Sequence, residues 1–112
     1  MYVLLYFYAL GVDVARENEY QYELIKKLKK MFPKPNTMIL KNDANYIQGV
    51  PDITILHKNR WAVLECKRDA QAPHRPNQDF YVDKLNGMSY AAFIYPENEE
   101  EILREVQQAL GA

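Results

Sequence analysis

At 112 residues the chain has room for one domain with a single core, and nearly half its residues are hydrophobic, so neither a multidomain protein nor a disordered chain is expected. The 14 Lys and Arg against 15 Asp and Glu give a formal net charge of −1, which excludes the globally basic composition of many DNA-binding proteins. The distribution says more than the sum: residues 1–75 carry 12 basic and 8 acidic side chains, whereas residues 76–112 carry 2 and 7. A cationic body thus precedes an anionic C-terminal part. The single cysteine, Cys66, rules out an intramolecular disulfide and fits a reducing cytoplasm.

The chain opens with an apolar run from Met1 to Val12. It lacks the basic segment and small-residue cleavage site of a signal peptide, and it is shorter than the roughly 20 apolar residues that span a bilayer, so no membrane partner is expected. Surface of this kind has to be buried, on the core or at a subunit contact. A contact supporting a homodimer is the preferred reading, and an extension without a role is the alternative. Residues 1–14 are therefore set apart from a domain over 15–112.

From Ala15 the pattern turns helical. Tyr20, Leu24, Ile25, Leu28 and Met31 or Phe32 recur at three- and four-residue spacing, and Pro33 and Pro35 end the run, which predicts a helix over about Arg16 to Phe32. Its other side carries Lys26, Lys27, Lys29 and Lys30, with Lys34 just beyond. Such a run is either a solvated face or a set of phosphate contacts that position a duplex without reading its sequence. Thr37 to Leu40 reads as a strand, followed by a polar loop from Lys41 to Tyr46, and Gly49 permits a tight approach to Pro51 and Asp52.

Two short apolar runs, Ile53 to Leu56 and Trp61 to Lys67, flank a polar stretch from His57 to Arg60 and predict a β-hairpin. In an antiparallel pair the start of one strand lies beside the end of the next, which brings Asp52 next to Glu65. Alternation puts Glu65 and Lys67 on one face and Leu64 and Cys66 on the other. Two readings fit this cluster. One is a salt bridge between Lys67 and an acid on a solvated sheet face; the other is a site for Mg²⁺ or Mn²⁺, since like charges held close favour a cation between hard oxygen ligands. Cys66, on the opposite face, is expected as a packed core residue rather than a nucleophile.

Beyond Lys67, residues 68–76 form a polar, Pro-containing loop in which Arg68, His74 and Arg75 are candidate phosphate contacts. Asn77 to Asn86 predicts a second helix, buried through Phe80, Tyr81 or Val82, and Leu85 and stopped by Gly87. Ser89 to Tyr95 predicts a last strand. Glu97 to Leu110 predicts a last helix that buries Ile102, Leu103, Val106 and Leu110, with its acidic cluster at the N-terminus, where the dipole favours it, and away from DNA.

Pro51-Asp52, a hydrophobic strand and then Glu65-Cys66-Lys67 resemble the signature of the PD-(D/E)XK nuclease superfamily. Within it, the chain resembles a small stand-alone VRR-Nuc domain of the phage type. The spacing Glu17-x-x-x-Gln21 resembles that family's first helix, and Arg75-Pro76-Asn77-Gln78 resembles its Pro-x-Gln element. The resemblance covers roughly Glu17 to Leu110. It implies an α/β, restriction-endonuclease-like core: a mixed central sheet flanked by helices, in the order helix, three strands, helix, strand, helix.

The resemblance also implies that Asp52, Glu65 and the main-chain carbonyl of Cys66 bind Mg²⁺ or Mn²⁺. Glu17 would approach that site, with Glu19 and Glu23 as competing positions and a helix-dipole benefit as an alternative account of Glu17. Lys67 would orient or help deprotonate the attacking water or balance charge on the reacting phosphate, and the electrostatic role is preferred because a Lys near a divalent ion is a poor base unless its pKa is lowered. Gln78 would bond an acid, a water or a phosphate. The expected function is a metal-dependent endonuclease cutting branched DNA such as Holliday junctions, working as a cytoplasmic homodimer, in the host cytoplasm if phage-encoded. Lys26, Lys30, Lys41, Arg68 and Arg75 would touch DNA. A nuclease for flaps, single strands or plain duplex and a non-catalytic nucleic-acid-binding protein on the same fold are the alternatives.

Overall fold

The computed structural model describes the backbone of residues 2–43 and 45–112, and side chains from residue 14 onward within that span. Seven elements follow in the expected order: α1 (Tyr2–Met31), β1 (Thr37–Lys41), β2 (Ile53–His57), β3 (Arg60–Cys66), α2 (Gln78–Met88), β4 (Tyr90–Ile94) and α3 (Glu99–Leu110). The strands form one sheet in the order β1-β2-β3-β4. β1 to β2 and β2 to β3 pair antiparallel, and β3 to β4 pair parallel across the α2 crossover. The class is α/β with a mixed sheet flanked by helices, as the sequence predicts.

Helix α1 starts far earlier than the expected Arg16. Apolar periodicity begins near Tyr20, but helix propagation needs only the absence of breakers, and no proline precedes Pro33; Gly11 costs about 1 kcal/mol relative to alanine, too little to stop a long helix. Pro33 ends it, because proline lacks the amide hydrogen and excludes helical backbone in the residue before it. The apolar N-terminal run, expected to support a homodimer, lies outside the residues whose side chains are described.

The sheet buries different partners on its two faces. Ile53, Ile55, Ala62, Leu64 and Ile94 face Leu24 and Leu28 of α1 and Val106 and Leu110 of α3 in the main core. Val63 and Ala91 face Val82 of α2 in a smaller cluster. This is the alternation that period-two strands impose. The acidic start of α3 docks on α1, where the Tyr20 hydroxyl donates to Glu99 Oε1 at 2.8 Å and Lys27 pairs with the same carboxylate.

Two expectations for α2 are corrected. The helix passes through Gly87 to Met88, and Phe80 is 61% exposed rather than buried. Gln78, Val82 and Leu85 share the inward face, which turns Phe80 outward, where it meets only the edge of Tyr81 at 5.2 Å. Leu64→Ala, at a side chain with no exposed surface, should therefore lose about 2–5 kcal/mol in urea denaturation, while Phe80→Ala should stay within about 0.5 kcal/mol of the parent.

Candidate active site

The hairpin register pairs Ile53 with Leu64, so Asp52 and Glu65 stand opposite each other one step beyond. There the main-chain ladder gives way to crossed bonds. The Asp52 amide donates to Glu65 Oε2 at 3.2 Å, and the Cys66 amide donates to Asp52 Oδ2 at 2.9 Å. Gln78, at the first position of α2, is buried and donates through Nε2 to Glu65 Oε1, while its Oε1 accepts from the Arg75 amide at 2.8 Å. One carboxylate thus holds the hairpin end to the start of α2.

Burial pushes the Glu65 carboxyl well above the ordinary carboxylate range, and the neighbouring Asp52 charge adds to the shift, while Lys67 offsets only part of it. Cys66 is buried beneath the pair, and burial followed by the nearby carboxylates raises its thiol above the ordinary range. A thiol held protonated is a poor nucleophile, in keeping with a core role.

Lys67 lies one residue past β3 and is 1% exposed. Its amide donates to the Ile94 carbonyl at 2.9 Å, and its Nζ donates to the Pro73 carbonyl at 3.0 Å. Burial lowers its ammonium pKa, against the attraction of Glu17 and Glu65. The solvated sheet face offered by one reading of the cluster is therefore absent at this position. The loop after Lys67 folds back over it. His74 stacks on Phe93 with ring centroids 3.9 Å apart and bonds Asp79 at 2.6 Å, and the Ala70 amide donates to Glu97 Oε2 at 2.9 Å.

The acids open into a cleft of about 660 Å³ between α1, the segment after β1 and the start of α2. Glu17, 8% exposed, reaches it from α1 and meets Arg75 Nη2 at 3.2 Å, whereas the competing Glu19 and Glu23 are exposed. The cleft brings together Glu17, Asp52, Glu65, Cys66, Gln78 and, from the expected DNA contacts, Lys41 and Arg75. Its lining does not include Lys67, which is expected among the catalytic residues, nor Lys26, Lys30 or Arg68. Lys26 pairs with Glu23 on the exposed side of α1 and lies over the Tyr22 ring, and Arg68 lies 3.4 Å from Asp69.

Asn18, Gln21, Asn42 and Gln48 also line the cleft, and sequence reasoning gave none of them a role in the site. Asn42 could have been found as the polar residue ending β1: its side chain donates to the Pro51 carbonyl at 2.8 Å and to Thr54 Oγ1 at 2.9 Å, fixing the turn into Asp52. Gly49, at φ 95°, lies so close to Asn77 that a Cβ would sit 2.7 Å from the Asn77 main-chain carbon. Only glycine fits there.

Among the described residues, no group of three or more His, Cys, Asp and Glu side chains is placed to hold an ion by itself. Two facing carboxylates, one with its pKa raised by burial and by the other's charge, form a pair that a cation would relieve, and Mg²⁺ takes one or two carboxylates, a main-chain oxygen and several waters. No helix among the described residues is long and apolar enough to cross a membrane. No protein-family model, curated protein or solved structure matches the chain.

The raised Glu65 pKa fixes the sign of a pH dependence. Because its pKa is raised on folding, Glu65 contributes stability that is fully present below the ordinary carboxylate pKa and is lost as pH rises toward the raised value. The slope from this one group is at most about 1.4 kcal/mol per pH unit. Thermal melts in EDTA should show a falling Tm from about pH 5 to about pH 8, and Glu65→Gln should flatten the profile.

Proposed function

We propose that the chain is a metal-dependent, structure-selective DNA endonuclease of the PD-(D/E)XK type, on a restriction-endonuclease-like core, hydrolysing phosphodiester bonds of branched DNA such as four-way junctions. The observation that carries this reading is the pairing of Asp52 with Glu65 at the mouth of a cleft, with the Lys67 amine buried behind them and Gln78 bonded to Glu65. A salt bridge on a solvated face requires none of that burial.

Asp52, Glu65 and the Cys66 carbonyl would hold Mg²⁺ or Mn²⁺, with Glu17 beside them in the cleft. A divalent ion at such a site supplies Lewis-acid charge, which activates a water and offsets negative charge on the phosphate. Gln78 fixes the orientation of Glu65 through its buried bond. Lys67, held by the Pro73 carbonyl, keeps its amine at a fixed place and supplies positive potential where charge grows on the phosphate. Lys41 and Arg75 at the cleft lining meet neighbouring phosphates, contacts that position the strand without reading its bases.

A homodimer is part of the proposal: two copies related by a two-fold axis match the symmetry of a four-way junction, and their two sites would nick opposed strands. The test is cleavage of labelled four-way junction, flap, single-stranded and plain duplex DNA in Mg²⁺ or Mn²⁺, with sedimentation to establish oligomeric state. Symmetric nicking of the junction by a dimer is expected, with Asp52→Ala and Lys67→Ala each lowering the rate by at least about 100-fold. Cutting of the other substrates alone removes the junction assignment and keeps the mechanism. Absence of cutting, or variants as active as the parent, removes the nuclease.

A further inference from the structure

Gln21 is the one residue whose buried side-chain polar atom stands without a hydrogen bond among the described residues. It is 5% exposed, lines the cleft, and leaves Nε2 without an acceptor. A buried donor in that state costs about 1–3 kcal/mol, so an unmet acceptor is the first thing to look for. On an α-helix, positions four apart share a face, and the residue one turn before Gln21 is Glu17. Its carboxylate is turned instead to Arg75, at 3.2 Å.

Arg75 is suited to release it. The Arg75 main chain is pinned to Gln78 Oε1, whereas its side chain is 44% exposed and reachable by a phosphate. Guanidinium groups bind phosphate through paired, charge-assisted bonds, so a phosphodiester competes directly with a carboxylate for it. Once Arg75 is taken, Glu17 is left nearly buried with the Lys67 charge near it but without the Arg75 hydrogen bond, and the Gln21 amide is the uncommitted donor one turn away.

We propose that the Glu17 carboxylate has two seats, on Arg75 in the free protein and on Gln21 Nε2 once a substrate phosphate occupies Arg75, with Gln21 the positioning residue that holds it toward Asp52 and Glu65. This rests on the nuclease reading. Its consequence is that the site gains full affinity for a divalent cation only when a phosphodiester is in place. Cation and DNA binding are then positively coupled, and linkage makes the coupling reciprocal.

The test reads Mn²⁺ binding to the DNA-free, full-length chain by the electron-spin resonance of free Mn²⁺. Arg75→Gln stands in for an arginine that a phosphate has taken. It should tighten Mn²⁺ binding at least about fivefold, and Gln21→Met or Glu17→Gln on that background should each abolish the gain. Using both second variants guards against one that fails to fold. If Arg75→Gln gives no gain, the two-seat proposal is wrong; if the gain survives Gln21→Met, removal of a nearby cation is the whole effect and the proposal is wrong as well, while in both cases the metal site stands. If neither the parent chain nor Arg75→Gln binds Mn²⁺, or Asp52→Ala leaves the binding unchanged, the metal site itself is wrong and the proposal goes with it.

Discussion

The structure turns on a conflict between two carboxylates. Asp52 and Glu65 are brought face to face by a hairpin register that the hydrophobic alternation of β2 and β3 leaves no freedom to change, because a slip of one residue would expose Ile53, Ile55, Ala62 and Leu64. Burial of four such side chains outweighs the repulsion of one acid pair. The core therefore forces the acids together, and what surrounds them is the means by which the fold tolerates it: crossed main-chain donors, the Gln78 amide, a Glu65 pKa raised toward the uncharged form and the attraction of the Lys67 amine.

That dependence runs outward through the connections. Gln78 links Glu65 to α2, whose Val82 completes the smaller core, and the Lys67 amine ties the hairpin to the following loop through Pro73. The parallel return of β4 supplies the Ile94 carbonyl that receives the Lys67 amide. Glu65 and Lys67 are each held by bonds to more than one segment of the chain, an arrangement that keeps a side chain in place without help from a ligand.

Much of this was legible in the sequence because it is written in periodicity. The hairpin alternation placed Asp52 beside Glu65, and the element order, the inward face of α3 and the buried side of α1 followed from spacing of two or of three to four residues. The early start of α1 was not legible: an apolar run without a distinct polar face carries no helical signature. Phe80 was misassigned because composition cannot say which of several apolar residues a helix turns inward, and the rotation of α2 is fixed by Gln78 and its bond to Glu65. Lys67 was read as the end of the second hairpin strand, whereas it lies one residue past β3, and its enclosure depends on the loop that brings the Pro73 carbonyl to its amine. The ion pair between Glu17 and Arg75 joins residues 58 apart, and nothing local in either segment announces the other.

The close approach of Gly49 to Asn77 sets the gauge of the cleft. Two stretches of chain meet there, Gly49 on the way into Asp52 and the main chain and Cβ of Asn77 on the way into α2, with no room for a side chain on the glycine. Rim side chains such as Lys41 and Gln48 are then free to vary in length or charge without altering how far apart the walls stand. Divergence among chains of this design should run freely along the rim and stall at this one glycine. On the proposed nuclease reading, the spacing of the acids and the shape of nucleic acid accepted at the rim would be separately adjustable properties of a small domain.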